Sequence, residues 1–235
     1  MSAPEPGEVI LGKYRVERVL GEGGMGIVVL ATHVDLEQKV ALKFLLPAAL
    51  ARAEVVERFV REAKAAARIG GQHAVKIIDV GRTADGAPFM VMEYLEGEDL
   101  AALLERDGPP PPGITVDLVL QACVALAEAH AAGIVHRDIK PANLFLAKQR
   151  DGQRSIKVLD FGISKLADGE ALTKTNAAMG TAHYMSPEQL LSSKDVDAQA
   201  DIWSLGVVLY ELLSGRVPFD AETMPEIVAL ILQAN

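Results

Sequence analysis

The run Tyr14-Arg15-Val16-Glu17-Arg18-Val19-Leu20-Gly21-Glu22-Gly23-Gly24-Met25-Gly26-Ile27-Val28-Val29-Leu30-Ala31-Thr32 sets four glycines between two strand-like stretches. Residues 14–20 alternate apolar and charged side chains, the period of a half-buried strand, and Ile27 to Thr32 is rich in β-branched residues. A glycine fingerprint that holds a dinucleotide must lead from a strand into a helix, because the pyrophosphate sits on that helix N-terminus. Here the last glycine leads into Ile27-Val28-Val29-Leu30, a strand pattern. A P-loop needs Lys and Ser/Thr after its last glycine, where this chain has Ile27-Val28. What remains is a β-hairpin whose glycines let backbone approach phosphates without Cβ clashes, or an ordinary glycine-rich turn. Taken alone, the motif does not choose between them.

Working outward, Gln38 to Phe44 reads as a third strand, Val55 to Arg68 as an Ala-rich helix stopped by Gly70-Gly71, and Val75 to Val80 and Pro88 to Tyr94 as two more strands. The first ~95 residues therefore predict a mostly antiparallel sheet with one helix, since hairpin-length loops join most strands. Composition changes after Glu96-Gly97. Leu100 to Arg106 predicts a short helix, and Pro109 to Pro112 a rigid extended connector, because prolines cannot enter a helix interior. Val116 to His130, Ala198 to Leu213 and Glu226 to Gln233 predict helices, so the second half reads as mainly helical.

Half of the 235 residues are apolar, enough for a core, and the formal net charge of −9 argues against a protein that tracks nucleic-acid phosphates. Cys123 is the only cysteine, which excludes an intrachain disulfide, and His33, His73, His130, His136 and His183 show no zinc-ligand spacing. Residues 1–12, acidic and without an apolar run, predict a disordered leader rather than a secretory signal. Ile202 to Leu213, read as the most apolar stretch, falls short of the ~20 residues a spanning helix needs, so no membrane segment is expected.

Four further motifs follow the glycine run in order: Val40-Ala41-Leu42-Lys43, His136-Arg137-Asp138-Ile139-Lys140-Pro141-Ala142-Asn143, Asp160-Phe161-Gly162 and Ser186-Pro187-Glu188. With them the chain resembles the eukaryotic-type (Hanks-type) protein serine/threonine kinases, most closely the bacterial members, from about Tyr14 to its C-terminus. The resemblance implies an α+β, bilobal kinase-like fold. Its N-lobe, residues 13–95, would hold a small antiparallel sheet and one main helix, and its C-lobe, residues 96–235, would be mainly helical and incomplete at the C-terminus. It implies ATP-dependent transfer of a γ-phosphoryl group to Ser/Thr hydroxyls of proteins in bacterial signalling, with Mg²⁺ (or Mn²⁺) as metal.

The site residues implied by the resemblance are as follows. Leu20, Gly21, Glu22, Gly23, Gly24, Met25, Gly26, Val28 and Ala41 would border the nucleotide, and Lys43 would contact its α- and β-phosphates. Lys43 would pair with a helix acid, for which Glu62 matches best and Glu54 and Glu57 less well. Met92 matches the gatekeeper, the backbone of Glu93 and Leu95 the adenine hinge, and Asp99 either a ribose contact or a helix N-terminal acid. Asp138 would take the proton of the attacking hydroxyl, Lys140 steady the transferring phosphate and mark Ser/Thr substrates, and Asn143 and Asp160 hold the metal. His136 would be a structural imidazole, Thr181 would orient the substrate, and Asp201 would be a buried tie to the catalytic loop. Glu188 would pair with a downstream arginine absent from this sequence.

Thr173 and Thr175 would be phosphorylated and Arg137 would receive that phosphate. Implied partners are protein substrates, including a second copy in trans. The kinase domain would be cytoplasmic, with membrane tethering downstream as in many relatives. Two rival readings are a small-molecule phosphotransferase, disfavoured by Gly180-Thr181 with Ser186-Pro187-Glu188, and a pseudokinase scaffold, disfavoured by Lys43, Asp138, Asn143 and Asp160.

Overall fold

A computed structural model describes residues 4–23, 26–149, 151–161, 180–191 and 196–234. The chain forms two compact units, one of residues 1–70 and 75–95, the other of residues 71–74 and 96–235.

The first unit is a six-stranded antiparallel sheet in the order β1-β2-β3-β4-β6-β5, made of β1 (Val9–Ile10), β2 (Tyr14–Glu22), β3 (Gly26–His33), β4 (Gln38–Leu45), β5 (Ile77–Arg82) and β6 (Pro88–Glu93). Successive side chains of a strand point to opposite faces, so the alternation sorts residues into two sets. Ile10, Tyr14, Val16, Val29, Ala31, Val40, Leu42, Phe44, Phe89 and Val91 gather into one apolar cluster with Ile27. Phe44 stacks on Phe89 at 5.3 Å, and Tyr14 meets Phe89 edge-on at 6.2 Å.

A short helix, α1 (Pro47–Leu50), which the sequence reading did not anticipate, precedes α2 (Ala53–Ala66). Val55, Phe59, Ala63 and Ala66 recur at helical spacing and are the buried face of α2, which packs on β5 and β6. The leader predicted to be disordered is corrected in part. Val9 and Ile10 pair with Arg15 and Tyr14, and the Gly7 N–H donates to the Val16 carbonyl at 2.8 Å. Alternation in β2 continues past its own hairpin and offers Ile10 a buried place, so the first unit begins before residue 13.

In the second unit, α3 (Leu100–Asp107) is capped by Asp99, and α4 (Pro112–Ala131) begins inside the stretch predicted to be an extended connector. The reason is that Pro112 stands at the first helical position, where a missing N–H costs nothing and φ is already helical. α4 has 20 residues and a mean hydropathy of 1.4 over its most apolar window, so by length and composition it could span a bilayer, which corrects the choice of Ile202 to Leu213 as the most apolar stretch. Its Leu118, Ala122, Ala125, Leu126 and Ala129 are buried where it packs on β9 (Arg154–Val158) and α6 (Ala198–Ser214).

A three-stranded sheet, β7 (Gly97–Asp99), β8 (Leu144–Lys148) and β9, is a second feature missed in a half read as helical. After it come α5 (Pro187–Leu191), α6 and α7 (Met224–Gln233). α6 starts on Asp197, whose carboxylate accepts from the Gln199 N–H at 2.8 Å, and stops at Gly215 in the left-handed conformation.

Candidate active site

In the first unit, register decides which side chains share the face opposite the apolar cluster. Val28 stands across from Lys43, Lys43 across from Met90, and Ala41 across from Met92. Cross-strand partners lie on the same face, as do residues two apart, so Val28, Ala41, Lys43 and Met92 form one set. Ala41 and Met92 are buried, whereas Val28 and Lys43 are half-buried.

On α2, Glu62 lies three residues after Phe59 and four before Ala66, within the buried stripe, and is itself half-buried. Glu57 is exposed, and Glu54 is exposed and joined to Arg52 at 2.8 Å. Burial thus separates Glu62 from the two weaker candidates.

The glycine turn is a hairpin. Gly21 pairs with Val28 and Glu22 with Ile27, Leu20 sits at a register shift in β2, and the Gly23 N–H donates to the Gly26 carbonyl at 2.9 Å. Gly24 and Met25 lie outside the described residues. The glycines differ in kind. A Cβ on Gly26 would stand 2.5 Å from the Phe44 carbonyl oxygen, whereas a Cβ on Gly21 or Gly23 would meet nothing within 4 Å. Gly26 is therefore required by the protein's own packing, and Gly21 and Gly23 leave room for a ligand.

At the end of β6 the Glu93 carboxylate accepts the Lys76 N–H at 2.8 Å while the Glu93 N–H donates to the Lys76 carbonyl at 3.0 Å. The Glu93 side chain is thus engaged with its own sheet. Leu95 is the last residue of the first unit, and Asp99, in the second, accepts the Ala101 and Ala102 N–H groups at 3.0 Å each. Of the two readings of Asp99, the helix cap is the one its hydrogen bonds display.

In the second unit a small polar constellation centres on Asp138. Lys140 Nζ lies 3.1 Å from Asp138 Oδ2 and donates to Thr181 Oγ at 3.1 Å. Asn143, on the 3₁₀ turn Pro141–Asn143, donates from Nδ2 to the Asp138 carbonyl at 2.7 Å and to Asp138 Oδ2 at 3.0 Å. Two donors thus converge on Oδ2, and among the described residues none is directed at Oδ1.

Both hydrogens of the Asn143 amide are spent on Asp138, which fixes the amide orientation and leaves its oxygen as an acceptor. Asp160, two residues past β9, adds a carboxylate. These are hard oxygen donors, and no group of three His, Cys, Asp or Glu gathers among the described residues. The set fits a hard divalent cation that completes its shell with water and phosphate oxygens rather than a closed protein cage.

The loop that carries Asp138 is held from beneath. Asp201, fully buried on α6, accepts the Arg137 N–H on Oδ1 at 2.7 Å and the His136 N–H on Oδ2 at 2.8 Å. His130 Nε2 also reaches Oδ2, at 2.7 Å. His136 accepts the Asp138 N–H on Nδ1 at 3.2 Å, so its proton sits on Nε2 and goes to the Leu159 carbonyl at 2.6 Å. Its ring packs on Phe161 at 5.0 Å.

Arg137 and Asp160 have φ of 67° and 58°, left-handed values that cost a non-glycine residue about 1–2 kcal/mol. Strain of this kind persists only where surrounding bonds impose it. The sequence reading named Arg137 and Asp160 but missed their left-handed backbone and the His130 contact. His130 and Asp201 are 71 positions apart, and no local pattern marks His130 as a partner of Asp201. Glu188 lies in the first turn of α5, while Thr173 and Thr175 lie outside the described residues.

Residues 14–234 match the family described as protein kinase domain. The chain is 43% identical over 221 residues to the serine/threonine-protein kinase pkn3 of Myxococcus xanthus, covering 92% of this chain and 40% of that one. It is 40% identical over 232 residues to the serine/threonine-protein kinase PrkC of Bacillus subtilis, covering 97% of this chain and 34% of that one. The chain therefore spans less than half the length of these curated relatives. The crystal structure of the Mycobacterium tuberculosis PknI kinase domain superposes with a TM-score of 0.74 at 31% identity, covering 97% of this chain and 85% of that one. A polar constellation on one unit, a glycine hairpin flanked by a half-buried lysine on the next strand of the other, and these similarities lead to one conclusion: the chain belongs to the protein kinase domain family.

Proposed function

We propose that this domain transfers the γ-phosphoryl group of ATP to serine or threonine hydroxyls of proteins. The family uses ATP and a divalent metal, and its members act on protein substrates. The observation that carries the reading for this chain is the Asp138–Lys140–Thr181–Asn143 constellation, with Asp138 Oδ1 left to receive a proton.

Phosphoryl transfer asks the protein mainly for positioning and charge stabilisation. Asp138 orients the substrate hydroxyl and takes its proton. Lys140, bridging Asp138 and Thr181, lies beside the same hydroxyl and steadies the phosphate as charge moves onto it. Asn143 and Asp160 hold Mg²⁺, which when bound offsets charge on the phosphate oxygens. Lys43, oriented by Glu62, contacts the α- and β-phosphates, and the glycine hairpin lies along them. Val28, Ala41 and Met92 pack on the adenine, and the backbone of Glu93 and Leu95 hydrogen-bonds its edge. ATP supply and the lone Cys123 support the cytoplasm as the compartment.

Incubation with Mg²⁺ and γ-labelled ATP, alone and with a generic basic protein, tests the reading. Label on serine or threonine is expected. ATP binding with no transfer at any metal concentration would overturn it.

The glycine hairpin yields a paired prediction. Gly26→Ala should destabilise the fold by about 1–3 kcal/mol, because the new methyl meets backbone rather than a side chain that can yield. Gly21→Ala should leave the melting temperature unchanged and raise KM for ATP, since its methyl projects into open space. Calorimetry and ATP titration separate the two. Equal melting temperatures for both variants would remove the distinction drawn here.

We also propose that phosphorylation in trans at Thr173 and Thr175 raises activity, with the Arg137 guanidinium donating to the phosphate they carry. In support, the Arg137 guanidinium donates to the Val196 carbonyl at 3.0 Å while its Nε is buried with no hydrogen-bond partner among the described residues. Such a donor favours a bidentate anion. The Thr173→Ala, Thr175→Ala double variant should lose about tenfold in kcat, the worth of one charge-assisted hydrogen bond. Full activity in that variant, or unmodified threonines in fully active enzyme by mass spectrometry, would show that control lies elsewhere.

A further inference from the structure

The run Ser186-Pro187-Glu188-Gln189 that opens α5 has the form of a capping box, in which a serine precedes the helix and a glutamine or glutamate stands three residues on. The hydrogen bonds follow that form. Gln189 Oε1 accepts the Ser186 N–H at 3.0 Å, and the Gln189 N–H reaches Ser186 Oγ at a long 3.4 Å. Pro187 fills the first helical position, where no N–H is needed. Ser186 is fully buried, so the box anchors the glutamine side chain at a fixed point. A glutamate would close this box equally well, and capping therefore does not explain a glutamine.

The other half of the amide supplies the reason. Gln189 Nε2 donates to the Arg137 carbonyl at 2.9 Å, 52 positions away. Only one orientation of the amide satisfies both ends, since turning it over would set oxygen against oxygen and N–H against N–H. A carboxylate here has no hydrogen to offer Arg137.

The carbonyl so held belongs to the peptide unit that leads into Asp138. That unit is planar, and its other polar group, the Asp138 N–H, donates to His136 Nδ1 at 3.2 Å. Arg137 has a φ of 67°, and its own N–H is bound to Asp201 Oδ1 at 2.7 Å. Backbone of this kind persists only where its surroundings impose it. Asp201 acts on the N–H side of Arg137 and Gln189 on the carbonyl side. The segment that carries Gln189 also carries Thr181, whose Oγ accepts from Lys140 Nζ at 3.1 Å, so it meets the Asp138 loop at two points.

We infer that Gln189 is a positioning residue: its amide oxygen caps α5 while its NH₂ group holds the Arg137 carbonyl, which sets the direction in which Asp138 leaves the backbone. Its effect on rate rests on the kinase reading, whereas the fixing of the Asp138 peptide does not.

The test compares Gln189→Glu, which keeps the capping oxygen and loses the donor, with Gln189→Ala, which loses both, and Ser186→Ala, which loses the serine half of the cap alone. Thermal melts are run beside kcat at saturating ATP and serine peptide, at a temperature where every variant is folded. Both Gln189 variants should lose about tenfold in kcat, the worth of one hydrogen bond whose partner is left unpaired. Melting temperature should separate them, falling by a few degrees in the two alanine variants and holding in Gln189→Glu. Ser186→Ala should keep kcat near the wild-type value. Gln189→Glu at the wild-type rate overturns the inference, because capping would then be the whole role. Equal kcat losses in Gln189→Ala and Ser186→Ala overturn it too, and that comparison stands even where the glutamate variant fails to fold. Nuclear magnetic resonance of the unliganded protein reads the same contact without activity. The Asp138 amide resonance should shift in both Gln189 variants and hold in Ser186→Ala, and an unmoved amide in the Gln189 variants overturns the inference. A chain that transfers no phosphate yet shows this shift would count against the kinase reading alone.

Discussion

Asp160→Asn is expected to lower phosphoryl transfer by about 10³-fold or more, since in the metal-holding role proposed for Asp160 the loss of its carboxylate forfeits several kcal/mol of charge stabilisation and each 1.4 kcal/mol is tenfold. The substitution is chosen for the backbone. Asp160 has a φ of 58°, and asparagine is among the few residues that adopt the left-handed region readily. The fold should therefore survive, with circular dichroism and melting temperature unchanged, whereas alanine would add strain to the loss of the ligand. Lys43→Met should give a similar loss, because Lys43 is half-buried on the sheet face opposite the apolar cluster and methionine preserves its unbranched stem. A kinase assay beside a thermal melt separates chemistry from folding. Transfer by Asp160→Asn above about 10% of wild type would remove Asp160 from the metal site.

The parts of this molecule that the sequence made legible are those where one pattern serves one purpose. The strands from Tyr14 to Leu45 and from Pro88 to Glu93 carry runs rich in β-forming residues bounded by turn residues, so their ends fall within a residue or two of expectation. Signals that conflict were misread. Pro109 to Pro112 suggested an extended spacer, yet the last of them starts α4, since a proline is harmless only at that first position.

β8 and β9 have five residues each and lie in a half read as mainly helical, in a stretch to which no element had been given; the cue available was Asp151-Gly152 between two runs of β-formers. Other features were beyond any local pattern. Gly21 and Gly26 look alike in sequence, and only the Phe44 carbonyl beside one of them separates their roles. Glu62 could be preferred over Glu54 and Glu57 by family match alone until burial distinguished it. Asp99 carried two readings because a cap and a ligand contact need the same residue type, and only its hydrogen bonds display the cap.

Asp201 is where fold and chemistry meet most directly, and its replacement should have the second largest effect. One fully buried carboxylate receives the backbone N–H groups of His136 and Arg137 and the ring of His130. The two backbone donors fall on different oxygens. An asparagine there has one acceptor oxygen, so in either orientation its NH₂ group confronts at least one of these N–H groups. Alanine would orphan all the donors, and breaking a buried charged network by removing one partner costs about 3–5 kcal/mol. The loss would not stay local. Arg137 holds a φ of 67°, and the bond from its own N–H to Asp201 is one of the constraints that hold it there. Freed of it, Arg137 would relax toward an ordinary backbone conformation and carry Asp138, the next residue, out of register with Lys140 and Asn143. A displacement of about 1 Å at a reacting group costs about 10²-fold in rate. Asp201→Asn should therefore lower both the melting temperature and kcat while KM for ATP changes little, since none of its partners belongs to the first unit. Measured kcat at a temperature where the variant remains fully folded decides the point. A variant that is destabilised yet turns over at the wild-type rate would reduce Asp201 to a stabilising residue with no hold on the geometry of Asp138.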